Sequence, residues 1–238
     1  MEELWDDLLQ NLGFVAVVIG IMAALFGIAK LAEHFMPQAR KVTGTRRITI
    51  IAICAAIASV LHILDFPLLF LAPDFYKLDF SELPVMLCGF YLGPSAAVAC
   101  EALKIILKLL LKGTSTAFVG DFANFVVGCS FVLPALILYH SKKSRAFAIW
   151  GLALGTFVLT VFGSAFNALY LLPTFAKMFM PMEAIIAAGS IVNSSVNSLW
   201  SFVLICVAPL NLLKGISVSI LTMLLYKRVA RPLFGLNQ

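Results

Sequence analysis

The chain has 238 residues, of which 62% are hydrophobic and only 12% charged. That composition excludes a soluble catalytic domain and describes a membrane protein with several spanning helices of about 20 residues each. The formal net charge of +5 does not point to nucleic acid, because the basic residues cluster at the ends of apolar runs, where they set topology.

After the acidic start MEELWDD, an apolar run over residues 12–32 predicts a retained helix, too long for a signal-peptide core and without its basic leader. The basic cluster Arg40, Lys41, Arg46 and Arg47 belongs in the cytoplasm by the positive-inside rule, which puts the N-terminus of this first helix outside. Residues 48–64 go outward and end in the loop DFPLLFLAPDFYKLD; residues 81–91 return as a segment too short to span, with loop or extended chain completing the crossing on the outer side. Gly93 and Pro94 break that segment. Residues 94–111 go out and turn at KGTST, and residues 117–139 come in to meet Lys142, Lys143 and Arg145. Residues 147–172 go out, the stretch LPTFAKMFMPMEA stays outside with room for a short interfacial helix, and residues 196–226 return to Lys227, Arg228 and Arg231. The expected architecture is all-α: six helices over residues 41–238, preceded by an additional transmembrane helix over residues 1–40, with the C-terminus cytoplasmic. No strong internal repeat is present, which argues against a carrier built from inverted halves.

An ionisable residue in a spanning helix costs about 2.5 to 3.5 kcal/mol on insertion scales. Lys214 stands 13 positions before Lys227, in the outer half of the bilayer by helical rise. Two readings stand for it: its stem snorkels to the outer interface, or it lines a cavity together with Asn211, three residues away on the same face and next to Pro209. Asn167 and Asn124 reach a similar depth on their own helices. Together the four describe a pocket open to the exterior with apolar and aromatic neighbours such as Phe125, Phe166 and Tyr170, although any one asparagine is more often an interhelical contact. Glu101 and Lys104 read as an internal ion pair, Lys108 and Lys112 as snorkelling residues. Asp121, Lys77 and Asp79 either cap the pocket or are solvated. Ala52 and Ala56, four apart with Ala55 and Ser59 beside them, form a small-residue groove that either packs a neighbouring helix or docks a separate subunit.

Cys54, Cys88, Cys100, Cys129 and Cys206 lie in apolar runs without CxxC spacing and read as small core residues. There is no GxxxxGK[ST] loop, no HExxH, no GxSxG, and His34, His62 and His140 are far apart. Binding fits better than catalysis, and no metal or cofactor is expected.

With KLDFSELPVMLCGFYLGP, KGTSTAFVGDFANFVVG, NALYLLP and PLNLLKG in view, the chain resembles the substrate-binding S components of energy-coupling factor transporters, most closely the riboflavin-specific branch, over residues 46–231. The resemblance implies a six-helix membrane protein that captures riboflavin from outside and associates with a transmembrane coupling subunit and two cytoplasmic ATPase subunits, which hydrolyse ATP in its place. It maps riboflavin contacts onto Asn167, Asn211 and Lys214, maps the coupling-subunit contact onto Ala52 and Ala56, and gives the loop over residues 65–79 a covering role; the reading of the residues adds Asn124 and Asp79 as further candidate contacts. Another vitamin as substrate, or a solitary ion-coupled carrier invited by Glu101 and Lys104, are the alternatives.

Overall fold

The computed structural model describes residues 2–36 and 44–234, with side chains over residues 16–36 and 44–226. Its helices are α1 (Glu2–His34), α2 (Gly44–Ile63), α3 (Glu82–Leu92), α4 (Pro94–Lys112), α5 (Val119–Lys142), α6 (Arg145–Phe166), α7 (Leu172–Met178), α8 (Met182–Val192), α9 (Leu199–Phe202) and α10 (Ala208–Phe234). Two strands, β1 (Phe66–Pro67) and β2 (Lys77–Leu78), pair antiparallel with Phe66 opposite Leu78. Among the described residues five helical stretches are long and apolar enough to cross a membrane: Ala16–His34, Gly44–Ile63, Val119–Lys142, Arg145–Met178 and Leu199–Tyr226. With 19 residues, α4 reaches about 28 Å, but it carries Glu101, Lys104, Lys108 and Lys112 and is too polar to stand against lipid alone. The expected basic residues Arg40 and Lys41, and the side chains of Lys227, Arg228 and Arg231, lie outside the described set.

The short returning segment is present as α3, and the β1–β2 loop completes its path. Its 11 residues cover about 16 Å, so half of that crossing is made by irregular chain, which a bilayer tolerates only where protein surrounds it. Of the apolar side chains of α3, Val85, Met86 and Cys88 are fully buried against α2, α4 and α5. Outward, Ile57, Trp150, Phe157 and Leu169 are exposed, as expected where the solvent is hydrocarbon. All five cysteines are free and buried.

Helices α5 and α6 approach closely because α6 reads GLALG. A Cβ on Gly155 would stand 2.5 Å from the Phe131 carbonyl oxygen of α5, and one on Gly151 would meet the Ala135 carbonyl in the same way. Small residues four apart let backbones pack face to face where no hydrophobic force separates helix from lipid. Gly155→Val therefore forces the pair apart, with an expected loss of about 1 to 3 kcal/mol, read as a lowered unfolding temperature in detergent.

The additional helix is part of the bundle. Ala29 is buried, and Ile21, Met22 and Leu25 pack on Val98, Phe122 and Phe125 of α4 and α5. At its end the Glu33 carboxylate accepts from the Ser95 backbone N–H and the Ser95 hydroxyl, both at 2.8 Å, while Arg47 donates to Ser95 Oγ at 2.8 Å. A carboxylate here faces the free N–H groups and positive end of α4. The position demands Gly93, whose φ is +106° and whose Cβ would lie 2.7 Å from Glu33 Oε1. This cluster draws the start of α2, the start of α4 and the end of α1 together at the end of the bundle that carries the basic residues.

Candidate ligand-binding site

Two outer helices share a local irregularity. Between α6 and α7 the segment Asn167–Leu171 is π-helical, with the Leu172 N–H donating to the Asn167 carbonyl; between α9 and α10 the segment Val203–Val207 is likewise π-helical, closed by Ala208 N–H on Val203 O. Each is followed one residue later by a proline, Pro173 and Pro209. A proline has no N–H to return to the preceding turn, and a wide turn ahead of it lets the helix continue. The expectation that the helix stops at Leu172 is corrected on this ground: the stretch runs on to Met178. Such π-turns recur at functional sites because they re-aim side chains, and here they flank Asn167 and Asn211.

These two asparagines converge on Gly163. Asn167 donates from Nδ2 to the Gly163 carbonyl at 2.7 Å, and a Cβ at Gly163 would lie 2.9 Å from Asn211 Nδ2. The other end of the Asn167 amide, Oδ1, accepts from the Tyr76 hydroxyl at 2.6 Å. Burial pushes the Tyr76 phenol up, so it remains a donor. The Asn211 Nδ2 group is buried without a hydrogen-bond partner among the described residues. An unpaired buried amide costs about 1 to 3 kcal/mol, a cost that a ligand accepting from it removes.

Beside them lies a buried charge network. Lys214 Nζ is 3.0 Å from Asp79 Oδ2 and 2.9 Å from Glu82 Oε2. Lys104, 0% exposed, is ion-paired with Glu101 and, at 3.4 Å, with Glu82, and it donates to Ser81 Oγ at 3.0 Å and Asn124 Oδ1 at 3.2 Å. His62 Nδ1 stands 3.5 Å from Asp79 Oδ2. Burial pushes the Asp79 carboxyl up, but Lys214, His62 and Lys104 more than reverse this and hold it well below the usual carboxylate range. Three carboxylates thus face two ammonium groups, an acceptor-rich cluster suited to a ligand carrying hydroxyl and imide donors.

A cavity of about 490 Å³ opens above this network, lined by Phe75, Tyr76, Asp79, Lys108, Asp121 and Asn124 among others, within the size range of small-molecule sites. The expected residues divide. Asp79 and Asn124 stand on its wall, whereas Asn167 and Lys214 are bonded to the loop residues Tyr76 and Asp79, and Asn211 lies beside Asn167 rather than on the wall. The expectation of one open pocket lined by all of them is corrected accordingly: polar groups at this depth take partners wherever they find them, and the β1–β2 loop supplies those partners. Phe75 stacks on Phe202 at 6.4 Å between centroids, and this contact packs the loop onto α9. Phe125, Phe166 and Tyr170, expected as pocket walls, instead pack with the α1, α4 and α5 cluster.

The remaining charges are resolved. Glu101 and Lys104 pair as expected. Lys108 does not snorkel; it pairs with Asp121 at 2.5 Å, while Lys112 reaches Asp65 at 3.3 Å. Glu82, Tyr76 and His62 were not singled out from the sequence. Glu82 carried a usable signal, since it is an ionisable residue within an apolar run, as Glu101 is; Tyr76 and His62 carried none. On α2 the groove divides: Ala55 and Ser59 are buried in the bundle, whereas Ala52 and Ala56 face outward and exposed beside Ile53 and Ile57.

Residues 46–226 match the family described as the ECF transporter substrate-specific component. Similar proteins include the riboflavin transporter RibU of Staphylococcus aureus (strain TCH60), 35% identical over 185 residues that cover 78% of this chain and 90% of that one. The riboflavin transporter FmnP of Bacillus subtilis (strain 168) is 30% identical over 182 residues, covering 76% and 90%. A solved structure of the S component of a bacterial ECF transporter superposes with a TM-score of 0.63 at 34% identity, covering 79% of this chain and 98% of that one. With a network of buried charges set beneath a cavity, and a family match that spans all the helices contributing to it, this chain is a multi-pass membrane protein belonging to the substrate-specific components of ECF transporters.

Proposed function

We propose that the chain captures riboflavin from outside the cell for uptake driven by partner ATPases, with Asn167, Asn211 and Lys214 as its principal polar contacts and Asn124 and Asp79 as further ones. The observation that carries this reading is the unpaired Asn211 amide, buried next to Asn167 where α6 and α10 approach at Gly163, close to the π-turns that follow α6 and precede α10. The isoalloxazine ring has apolar faces and a polar edge of carbonyls and one N–H. Asparagine amides meet both kinds of group, an ammonium meets carbonyl oxygen, and the surplus carboxylates take ribityl hydroxyls. The chain is a transport component and not an enzyme.

In this reading the loop that joins β1 to β2 covers the ligand by exchanging partners, Tyr76 leaving Asn167 and Asp79 shifting from Lys214 as riboflavin arrives. The exposed Ala52 and Ala56 face of α2 meets the transmembrane coupling subunit, which carries two cytoplasmic ATPase subunits. Residues 1–40 add a helix to the six-helix domain of residues 41–238. The basic end of the bundle, with Arg47 and Arg145, lies in the cytoplasm, with the N-terminus outside and the C-terminus inside.

Titration of the purified, refolded protein with riboflavin tests the reading. Saturable quenching of flavin fluorescence is expected, and protein that never titrates would sink it. Tyr76→Phe removes a hydrogen bond made only in the ligand-free state, worth about 0.5 to 1.5 kcal/mol. The same titration should show it binding riboflavin more tightly, by roughly two- to tenfold.

A further inference from the structure

At the opposite end of α5, 15 residues or about 22 Å from Asn124, a second cavity of about 340 Å³ opens where the end of α5, the start of α6 and the far part of α10 meet. Tyr139, Ser144, Arg145, Ala148, Thr222 and Tyr226 contribute to its lining, together with Lys143. The first turn of α6 brings its positive dipole end here, with the Phe147 N–H capped by Ser144 Oγ at 3.3 Å, and Arg145 adds a full charge. The second observation is independent of charge: Thr222 is 0% exposed, lines the cavity, and its hydroxyl has no hydrogen-bond partner among the described residues. A buried donor left unpaired beside a basic cavity calls for an acceptor from outside the chain.

On the other flank of the same α6 turn runs an apolar groove of about 510 Å³, lined by Leu138, Phe147, Trp150, Leu154 and Phe157. From Phe147 to Phe157 it follows α6 for 10 residues, about 15 Å, which is the depth of one leaflet in a hydrocarbon core about 30 Å thick. Trp150 is 69% exposed although packing space lies beside it.

We propose that the cavity and the groove form one binding site for an anionic phospholipid of the leaflet at the basic end, its phosphate among Arg145, Ser144 and Thr222 and an acyl chain along the Trp150 groove. Charge complementarity selects the headgroup: a zwitterionic lipid would set its own ammonium against Arg145 and the positive helix end, and free phosphate would leave the groove unused. Thr222 stands eight residues beyond Lys214 on α10. A lipid here fastens the helix that carries Asn211 and Lys214 to the α5–α6 pair.

The test uses the full chain with Trp5→Phe and Trp200→Phe, leaving Trp150 as its reporter, in nanodiscs of phosphatidylcholine. A dibromo-acyl phosphatidylglycerol and a dibromo-acyl phosphatidylcholine are compared as quenchers at equal mole fraction. The anionic lipid is expected to quench with a preference of about fivefold per engaged basic side chain. Arg145→Gln should remove about one such factor, and Thr222→Val, which keeps the side-chain shape, should weaken the preference while the protein stays folded. Glycerol phosphate and inorganic phosphate should leave it unchanged. Equal quenching by both lipids overturns the proposal, as does an undiminished preference in Thr222→Val. Abolition of the preference by inorganic phosphate overturns it too, by assigning the pocket to a free anion.

Discussion

Replacing Lys104 by methionine is expected to destabilise the protein by about 3 to 5 kcal/mol, the cost of leaving a buried carboxylate without its counter-charge. At this chain length that corresponds to a fall in unfolding temperature of roughly 6 to 20 °C, measurable in detergent by the near-ultraviolet or intrinsic fluorescence signal. The size of the effect follows from how the charges are shared. Glu82 keeps Lys214 at 2.9 Å when Lys104 is lost, but Glu101 is left with no other ion pair among the described residues. The variant that adds Glu101→Gln removes that stranded charge and should recover most of the loss, because deleting both members of a buried pair is often near neutral. A double variant as unstable as Lys104→Met would mean that Glu101 is not the group Lys104 neutralises.

That network also marks the boundary of what the sequence revealed. Glu101 and Lys104 were legible as a pair because both lie on one helix at a spacing of three, where neighbours along a helical face can be read without a fold. The partners that complete the network, Glu82 at the head of α3 and Asp79 beyond β2, sit 22 and 135 positions away from Lys104 and Lys214 respectively. Contacts of that span depend on how helices are arranged, and no local period announces them. Five spanning helices among the described residues were legible, since each of these runs is long and apolar. The π-turns were not, because they arise from how a chain accommodates Pro173 and Pro209 in place, and proline by itself reads as a stop. The GLALG spacing of α6 was open to the reasoning that found Ala52 and Ala56 on α2 and was not singled out. Helical rise set Asn124, Asn167, Asn211 and Lys214 at a common level; which face each asparagine presents, and what the loop places against it, was settled by packing.

Asn211→Ala is expected to weaken riboflavin binding by about 1 to 3 kcal/mol, or roughly five- to 150-fold in Kd, while the unfolding temperature of the ligand-free protein stays level or rises. The two readouts separate because the Asn211 Nδ2 group has no partner among the described residues in the ligand-free structure. Removing an unpaired buried donor takes away a desolvation cost and no hydrogen bond, so a merely structural asparagine and a ligand-binding one give opposite patterns. Lys214→Ala is the contrasting case. Its ammonium already serves Asp79 and Glu82, so binding and stability should fall together. If Asn211→Ala instead lowers the stability of ligand-free protein and leaves the flavin titration unchanged, Asn211 is an interhelical contact between α6 and α10, and the ligand's polar edge must be held by Asn167 and Lys214 alone.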